Sequence, residues 1–173
     1  TTAPGVTVTT AKAVRNNGGT PSTIEFVEVA FPDVPAQLEA GTMDAAWAPD
    51  PFRAMVVGGG GVSVVQPYQA TIPGLSVLTN ITTQALMDED PDLVKAYSEA
   101  MTEALDWAAD NEDAVRAAIA TNLDIPEEAA AGITLPTFTW DLAGAGVEDL
   151  GALAVEFAYI DAEPDYDTLL QQQ

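Results

Sequence analysis

The stretch DAAWAPDPF, residues 44–52, decides the fold that the sequence predicts. After Asp44 it carries a short apolar run, residues 45–48, which is typical of a buried β-strand. Asp50 followed by Pro51 then indicates the start of a helix, because an aspartate caps the first turn and proline fits the first helical position. The stretch therefore predicts a strand over 44–48 that turns directly into a helix over 51–57.

Strands and helices alternate on both sides of this stretch. The predicted helices of this half cover 7–17, 32–38 and 51–57, and its predicted strands cover 24–29, 44–48, 62–65 and 75–79. Such alternation favours an α/β fold with a mostly parallel sheet covered by helices. Because a parallel sheet normally has more strands than these four, we expect the chain to be part of a larger α/β protein.

The C-terminal half is predicted to be nearly all helix. An amphipathic helix begins at Asp90 and Pro91 and runs to about Ala109, with apolar side chains on one face and carboxylates on the other. Shorter helices are predicted over 112–121, 126–132 and 147–159, followed by a loose end at Pro164 and at 171–173. We expect these helices to pack on the sheet or on a second lobe.

Charge and composition exclude several classes of function. The chain has 27 acidic and 5 basic residues, a net charge of −22. Residues 1–87 hold six acids and three bases, net −3, whereas residues 88–173 hold twenty-one acids and two bases, net −19. We interpret the excess as a solvated acidic shell, which repels nucleic-acid phosphates and anionic lipid headgroups. The absence of cysteine and histidine excludes disulfides, thiolate or imidazole metal sites and a Ser-His-Asp triad within the chain. We therefore predict no catalytic residue, no metal site and no cofactor.

Three stretches carry a family resemblance. They are GGTPSTIEFVEVAFPDVPAQLEAGTMDAAWAPDPF (18–52), DEDPDLVKAYSEAMTEALDWAADNED (88–113) and GVEDLGALAVEFAYI (146–160). In order and spacing they resemble the substrate-binding proteins of nitrate/sulfonate/taurine-type ABC importers, from about Val6 to Leu170. The resemblance implies the type II periplasmic-binding-protein fold, a two-lobed clamshell. It implies that residues 1–66 form the larger part of lobe two, and that residues 67–173 form the hinge return and the C-terminal helical part of lobe one.

The resemblance also implies a function. Such a receptor lies in the periplasm or outside the cell, in some cases held to the cytoplasmic membrane by a lipid. It captures a small organic or oxyanion solute, such as a sulfonate, nitrate or a pyrimidine, and delivers it to an ABC permease without covalent chemistry. The expected partners are the solute, the permease and an N-terminal part of the same protein, which would supply the other half of lobe one.

Six residues are the candidate ligand contacts by this resemblance. Trp47 and Phe52 would form apolar or stacking walls of the cleft, and Asp50 would accept hydrogen bonds or pair with a cationic group. The alternatives are that Trp47 is a core residue and that Asp50 is only a helix cap. Arg53 is expected to pair with a neighbouring acid rather than with the solute.

The other three candidates are hydroxyl side chains. Thr7 and Thr9 are predicted at the start of the first helix, where hydroxyls, amides and the partial positive charge suit an oxyanion. Plain capping by threonine is the alternative. Tyr68 would reach the cleft with its hydroxyl, or would pack in a turn.

Two further functions compete with the receptor hypothesis. One is an acidic secreted module whose C-terminal half docks a basic partner. The other is a pyrimidine-precursor synthase on the same fold, which needs a lysine-bound cofactor and a histidine. This chain has no histidine and only Lys12 and Lys95, both on predicted helix surfaces, so we do not expect an enzyme.

Overall fold

The computed structural model of the chain describes residues 3–142 and 146–170. These residues form ten α-helices and two 3₁₀ turns, the turns at Pro21–Thr23 and Phe31–Asp33. The helices are α1 (Pro4–Asn16), α2 (Val34–Glu39), α3 (Phe52–Gly58), α4 (Pro67–Thr71), α5 (Gln84–Glu89), α6 (Pro91–Asp110), α7 (Glu112–Leu123), α8 (Glu127–Ala131), α9 (Val147–Glu156) and α10 (Tyr166–Leu169). Within the described ranges, no helix is both long enough and apolar enough to cross a membrane.

The predicted helices form close to the predicted positions. The Asp90 carboxylate accepts a 3.0 Å hydrogen bond from the Leu93 amide, and Pro91 takes the first helical position, so α6 begins as expected. The first helix, α1, begins three residues earlier than predicted because Pro4 occupies its first turn. The short helices α4, α5 and α10 were not predicted, since four to six residues carry too little periodicity to be recognised.

The prediction of a parallel sheet is not met by the described residues. No two of their segments pair as β-strands, and all four predicted strands are non-helical chain without a strand partner, with bends at Asp44 and Val77. These segments lie at 24–30, 43–49, 61–66 and 75–82. A strand completes its backbone hydrogen bonds only on a neighbouring strand, so the apolar pattern of a segment is not sufficient for sheet formation.

Two small hydrophobic clusters join some of the helices. The first joins α1, α4 and α9 through Val8, Ile72 and Leu153, and three half-buried side chains pack against it. The second joins α7 and α8 through Ala120 and Ala130. Six of the ten buried apolar side chains of the described residues lie in these two clusters, and most of the others lie on α1.

Candidate functional site

A row of four aromatic rings forms the most structured part of the candidate site. Phe52 stacks on Phe31 with ring centroids 5.8 Å apart, and Phe31 lies 5.9 Å from Trp47. Trp47 in turn lies 5.7 Å from Tyr68 at an angle of 53°. Offset and tilted rings at these distances attract one another, so three of the six predicted contacts, Trp47, Phe52 and Tyr68, are brought together. We call these four residues the aromatic row.

Local sequence places each ring of the aromatic row. Phe31 opens the 3₁₀ turn that leads into α2, and Phe52 is the first residue of α3. Tyr68 lies in the first turn of α4, directly after the proline that starts this helix. Trp47 lies on the non-helical segment 43–49, so the row joins one 3₁₀ turn, the first turns of two α-helices and one irregular segment.

Tyr68 connects the aromatic row to the beginning of α1. A side-chain Cβ built on Gly5 would lie 3.7 Å from the Tyr68 hydroxyl oxygen, which shows how closely this hydroxyl approaches the first turn of α1. Partial burial raises the pKa of Tyr68 above its ordinary value of 10.0. The hydroxyl therefore stays protonated at neutral pH and is available as a hydrogen-bond donor.

Asp50 has a structural role that differs from helix capping. Its Oδ2 atom accepts hydrogen bonds from the Arg53 guanidinium at 2.8 Å and from the Thr134 amide at 3.2 Å. No first-turn amide of α3 bonds to the Asp50 side chain, so the interpretation of Asp50 as an N-cap is wrong. The predicted ion pair of Arg53 with a neighbouring acid is confirmed. Asp50 is thus already neutralised by Arg53, although its Oδ1 atom is buried and has no hydrogen-bond partner among the described residues.

Thr7 and Thr9 lie deeper in α1 than the sequence indicated. Because α1 begins at Pro4, both residues lie beyond the first-turn amides that are free to bind an anion. The Thr7 hydroxyl donates to the Ala3 carbonyl at 3.3 Å, and the Thr9 hydroxyl donates to the Gly5 carbonyl at 2.7 Å. Both side chains are buried. The expected placement at the helix start is therefore wrong, while a ligand role for either residue stays a prediction.

Thr10 is a candidate that sequence reasoning missed. Its hydroxyl oxygen is buried without a hydrogen-bond partner among the described residues, and the residue lines the central cavity together with Val6. The helical spacing from Val6 to Thr10 is the sequence signal that places both on one face of α1. Thr7 and Thr9, by the same spacing, point elsewhere.

Two residues of the aromatic row border a cavity that is much larger than a solute pocket. Trp47, Tyr68 and Arg53 line it, and its volume is 2630 Å³. Pockets for small molecules have volumes of about 300–1,000 Å³. The remaining lining comes mainly from the extended segments 24–29, 61–66, 74–82 and 135–142. The cavity as a whole is therefore too large to be the pocket of a single small solute.

Comparison with known families identifies the chain. The sequence model of the NMT1-like family matches residues 6–123, which is well over half of the chain and includes the whole aromatic row. The chain belongs to the NMT1-like family. No curated protein sequence matches it significantly. No solved structure does so either. Membership in the NMT1-like family supports a function of the solute-binding-protein type, in agreement with the resemblance to the nitrate/sulfonate/taurine-binding proteins.

Proposed function

We propose that this chain is part of an extracytoplasmic receptor that captures a small solute and passes it to an ABC permease. The aromatic row beside the first turn of α1 carries the proposal, because Trp47 and Tyr68 present ring faces and a protonated hydroxyl to the cavity. Binding and release need no covalent chemistry in this proposal. Its partners are the solute, the permease and the N-terminal part of the same protein, and the receptor acts in the periplasm or outside the cell, with or without a lipid anchor.

The groups around the cavity favour a flat organic solute within the classes that the resemblance implies. Asp50 and Arg53 neutralise each other, and the hydroxyls of Thr7 and Thr9 bond to carbonyls of α1. Near the aromatic row, the groups left for a ligand include the ring of Trp47, the Tyr68 hydroxyl and the Thr10 hydroxyl. Stacking on a ring with one or two hydrogen bonds at its edge suits a pyrimidine-like solute better than nitrate.

In the proposed receptor, the type II clamshell closes on the solute. The parallel sheet of this fold would form between the extended segments and strands outside residues 1–173. Residues 1–66 would then belong to lobe two and residues 67–173 to lobe one. The family match crosses this boundary without a break, which is compatible with a single receptor body.

The test is calorimetric titration of the complete protein from its source with a pyrimidine, a sulfonate and nitrate. We expect binding of the pyrimidine, and we expect Trp47→Ala to weaken it about tenfold, which corresponds to about 1.4 kcal/mol. Trp107→Ala is the matched control, because Trp107 is a half-exposed tryptophan on α6 away from the cavity. A folded protein that binds none of the three solutes would contradict the proposal, as would equal losses in the two tryptophan variants.

A further inference from the structure

One asparagine of the chain has the sequence context of an N-glycosylation acceptor. Asn80 is followed by Ile81 and Thr82, which matches the pattern Asn-x-Ser/Thr with a residue other than proline in the middle. The spacing matters because the transferring enzyme recognises the hydroxyl two positions after the asparagine. The other asparagines, at 16, 17, 111 and 122, have no serine or threonine at that distance. Asn80 is therefore the single candidate acceptor in this sequence.

The structure makes this stretch accessible, which a sequence match alone does not guarantee. Asn80 lies in 78–83, a stretch without helix or strand that belongs to the link between α4 and α5. All residues from 77 to 86 are exposed, and Ile81 is 92% exposed. Among the described residues, no backbone amide of 79–82 donates to a backbone carbonyl. The stretch can therefore enter the site of an enzyme without disruption of a helix or of a buried cluster.

The two threonines after Ile81 differ in what their hydroxyls do. The Thr83 hydroxyl oxygen accepts a 3.2 Å hydrogen bond from the Leu86 amide, so Thr83 caps α5. Thr82 caps no helix, and it is exposed. The hydroxyl at the position that the pattern requires is thus available to the enzyme, whereas the neighbouring hydroxyl is used by the fold.

The Asn80 side chain is held by its oxygen atom, which leaves its nitrogen atom for the modification. The Oδ1 atom accepts a 2.8 Å hydrogen bond from the Tyr97 hydroxyl of α6. N-glycosylation attaches the sugar to Nδ2 and leaves Oδ1 as an acceptor. The contact with Tyr97 is therefore compatible with the modified side chain. Because the amide group is planar, this contact would also fix the direction in which the sugar leaves the chain.

The surface beside Asn80 suits the first sugars of a glycan. Tyr97 is half exposed, and its ring lies edge-on to that of Trp140 with centroids 6.4 Å apart. Sugar rings present C–H groups that the negative face of an aromatic ring attracts. Leu78 and Ile81 add exposed apolar surface, which a bulky, solubilising glycan would cover. The place thus offers an acceptor atom and a surface for the group attached to it.

From these observations we propose that Asn80 is an N-glycosylation site. The donor is an oligosaccharide linked through diphosphate to a polyprenyl lipid. The Nδ2 atom of Asn80 forms a bond to C1 of the first sugar and loses a proton to a base of the enzyme. The bond from C1 to the diphosphate oxygen breaks, and the lipid diphosphate leaves with the electron pair. The inference rests on the proposed function in one respect, namely that the chain leaves the cytoplasm.

Mass spectrometry of the protein purified from its source cells tests the proposal without any solute. We expect the peptide that contains Asn80 to carry a glycan on this residue and to release sugar fragment ions on activation. Unmodified Asn80 throughout the purified protein would overturn the inference. Recovery of such unmodified protein from outside the cytoplasm would leave the receptor proposal standing, whereas its recovery from the cytoplasm would contradict both proposals.

Three substitutions, made in the same cells, test whether the sequence pattern directs the modification. Thr82→Ala removes the required hydroxyl and leaves Asn80 and its contact with Tyr97 in place, so we expect loss of the glycan. Thr82→Ser keeps a hydroxyl and should keep the glycan. Thr83→Ala is the matched control, because it makes the same change one residue later, and it should also keep the glycan.

Folding is unlikely to confuse this comparison, because residue 82 is exposed and lies outside the helices, and circular dichroism of each variant would verify it. A glycan that persists on Asn80 in Thr82→Ala would overturn the inference. Equal loss of the glycan in Thr82→Ala and Thr83→Ala would overturn it as well, since the pattern distinguishes the two threonines.

Discussion

Branched apolar side chains are buried in one region of the molecule, the helical cluster, and exposed in another, the segments around the cavity. In the helical cluster of α1, α4 and α9, Val8 is 1% exposed and packs against Ile72 and Leu153. Around the cavity, Val64 is 87% exposed on an extended segment without a strand partner. The helices satisfy their backbone hydrogen bonds internally, so one apolar stripe is enough for them to pack. The extended segments must first find neighbouring strands, and until they do, their apolar side chains stay exposed.

The largest expected effect concerns the helical cluster of α1, α4 and α9. Leu153→Ala removes a buried side chain of the helical cluster and should lower the free energy of unfolding by about 2–5 kcal/mol. Leu78→Ala makes the same chemical change on an extended segment and should cost less than about 0.5 kcal/mol in the chain alone. Urea denaturation of the two variants measures both values. Comparable losses of unfolding free energy in the two variants would mean that the Leu78 side chain is packed in solution. That result would contradict the contrast between the two regions.

The second prediction concerns the turn into α9. Gly146 has a φ of +69°, and a Cβ built there would lie 2.5 Å from Ile72 Cγ2, within the helical cluster. Gly146→Ala should therefore destabilise the chain by about 1–3 kcal/mol through backbone strain and this clash.

Gly58→Ala is the matched control for Gly146→Ala. Gly58 ends α3, and a Cβ there would have open space around it. Since alanine favours helix more than glycine does, this variant should be neutral or more stable by a few tenths of a kcal/mol. Thermal unfolding in parallel would detect the difference, and two equal melting temperatures would contradict the role of Gly146.

The third prediction concerns a polar contact that joins two segments far apart in the sequence. Asp50 bonds to the Thr134 amide, 84 positions along the chain, and Arg116 holds the adjoining carbonyls of Ala130 and Ala131 at 3.3 Å each. Asp50→Ala leaves the Thr134 amide and Arg53 without this acceptor, so it should cost about 1–3 kcal/mol. Asp44→Ala, an exposed carboxylate on the same stretch, should cost less than about 0.5 kcal/mol in the same denaturation assay. Equal losses of unfolding free energy in the two variants would show that the Asp50–Thr134 contact does not stabilise the chain.

The smallest expected effect is electrostatic. Partial burial acts to raise the pKa of Glu156, but its hydrogen bond to Arg15 and the charges of Arg15 and Lys12 lower it overall. Because the pKa is lower in the folded state, this contact stabilises the protein fully above the ordinary value of 4.5. The stabilisation disappears as the pH falls through the lowered pKa.

A Glu156→Gln variant tests whether the pKa of Glu156 is lowered in the folded protein. It should melt slightly below the unsubstituted protein at neutral pH, and the two melting temperatures should converge in acid. Glu103→Gln, the same change at an exposed carboxylate of α6, is the control measured over the same pH range. A gap for Glu156→Gln that widens in acid would contradict the direction of the pKa change.

The site was predictable in part. The aromatic and proline residues around Trp47 marked the correct region, because DAAWAPDPF combines an apolar run with a helix start. Phe31 was missed, since its ring reaches the row only after the turn into α2 brings it there. Thr7 and Thr9 were named and Thr10 was missed because the helix start was placed too late, and the rotation of α1 decides which hydroxyl lines the cavity.

The sequence by itself determined the longer helices, the Asp90 cap of α6, the acidic C-terminal half and the resemblance on which the functional proposal rests. These features depend on neighbours within one or two helical turns, so local pattern is sufficient for them. Only the tertiary structure decided that the predicted strands stay unpaired, that Asp50 bonds across the chain to Thr134, and that four rings meet in one row. Strand pairing, ion pairs and ring contacts join residues that are far apart in sequence, and the order of residues alone does not specify which distant partners meet.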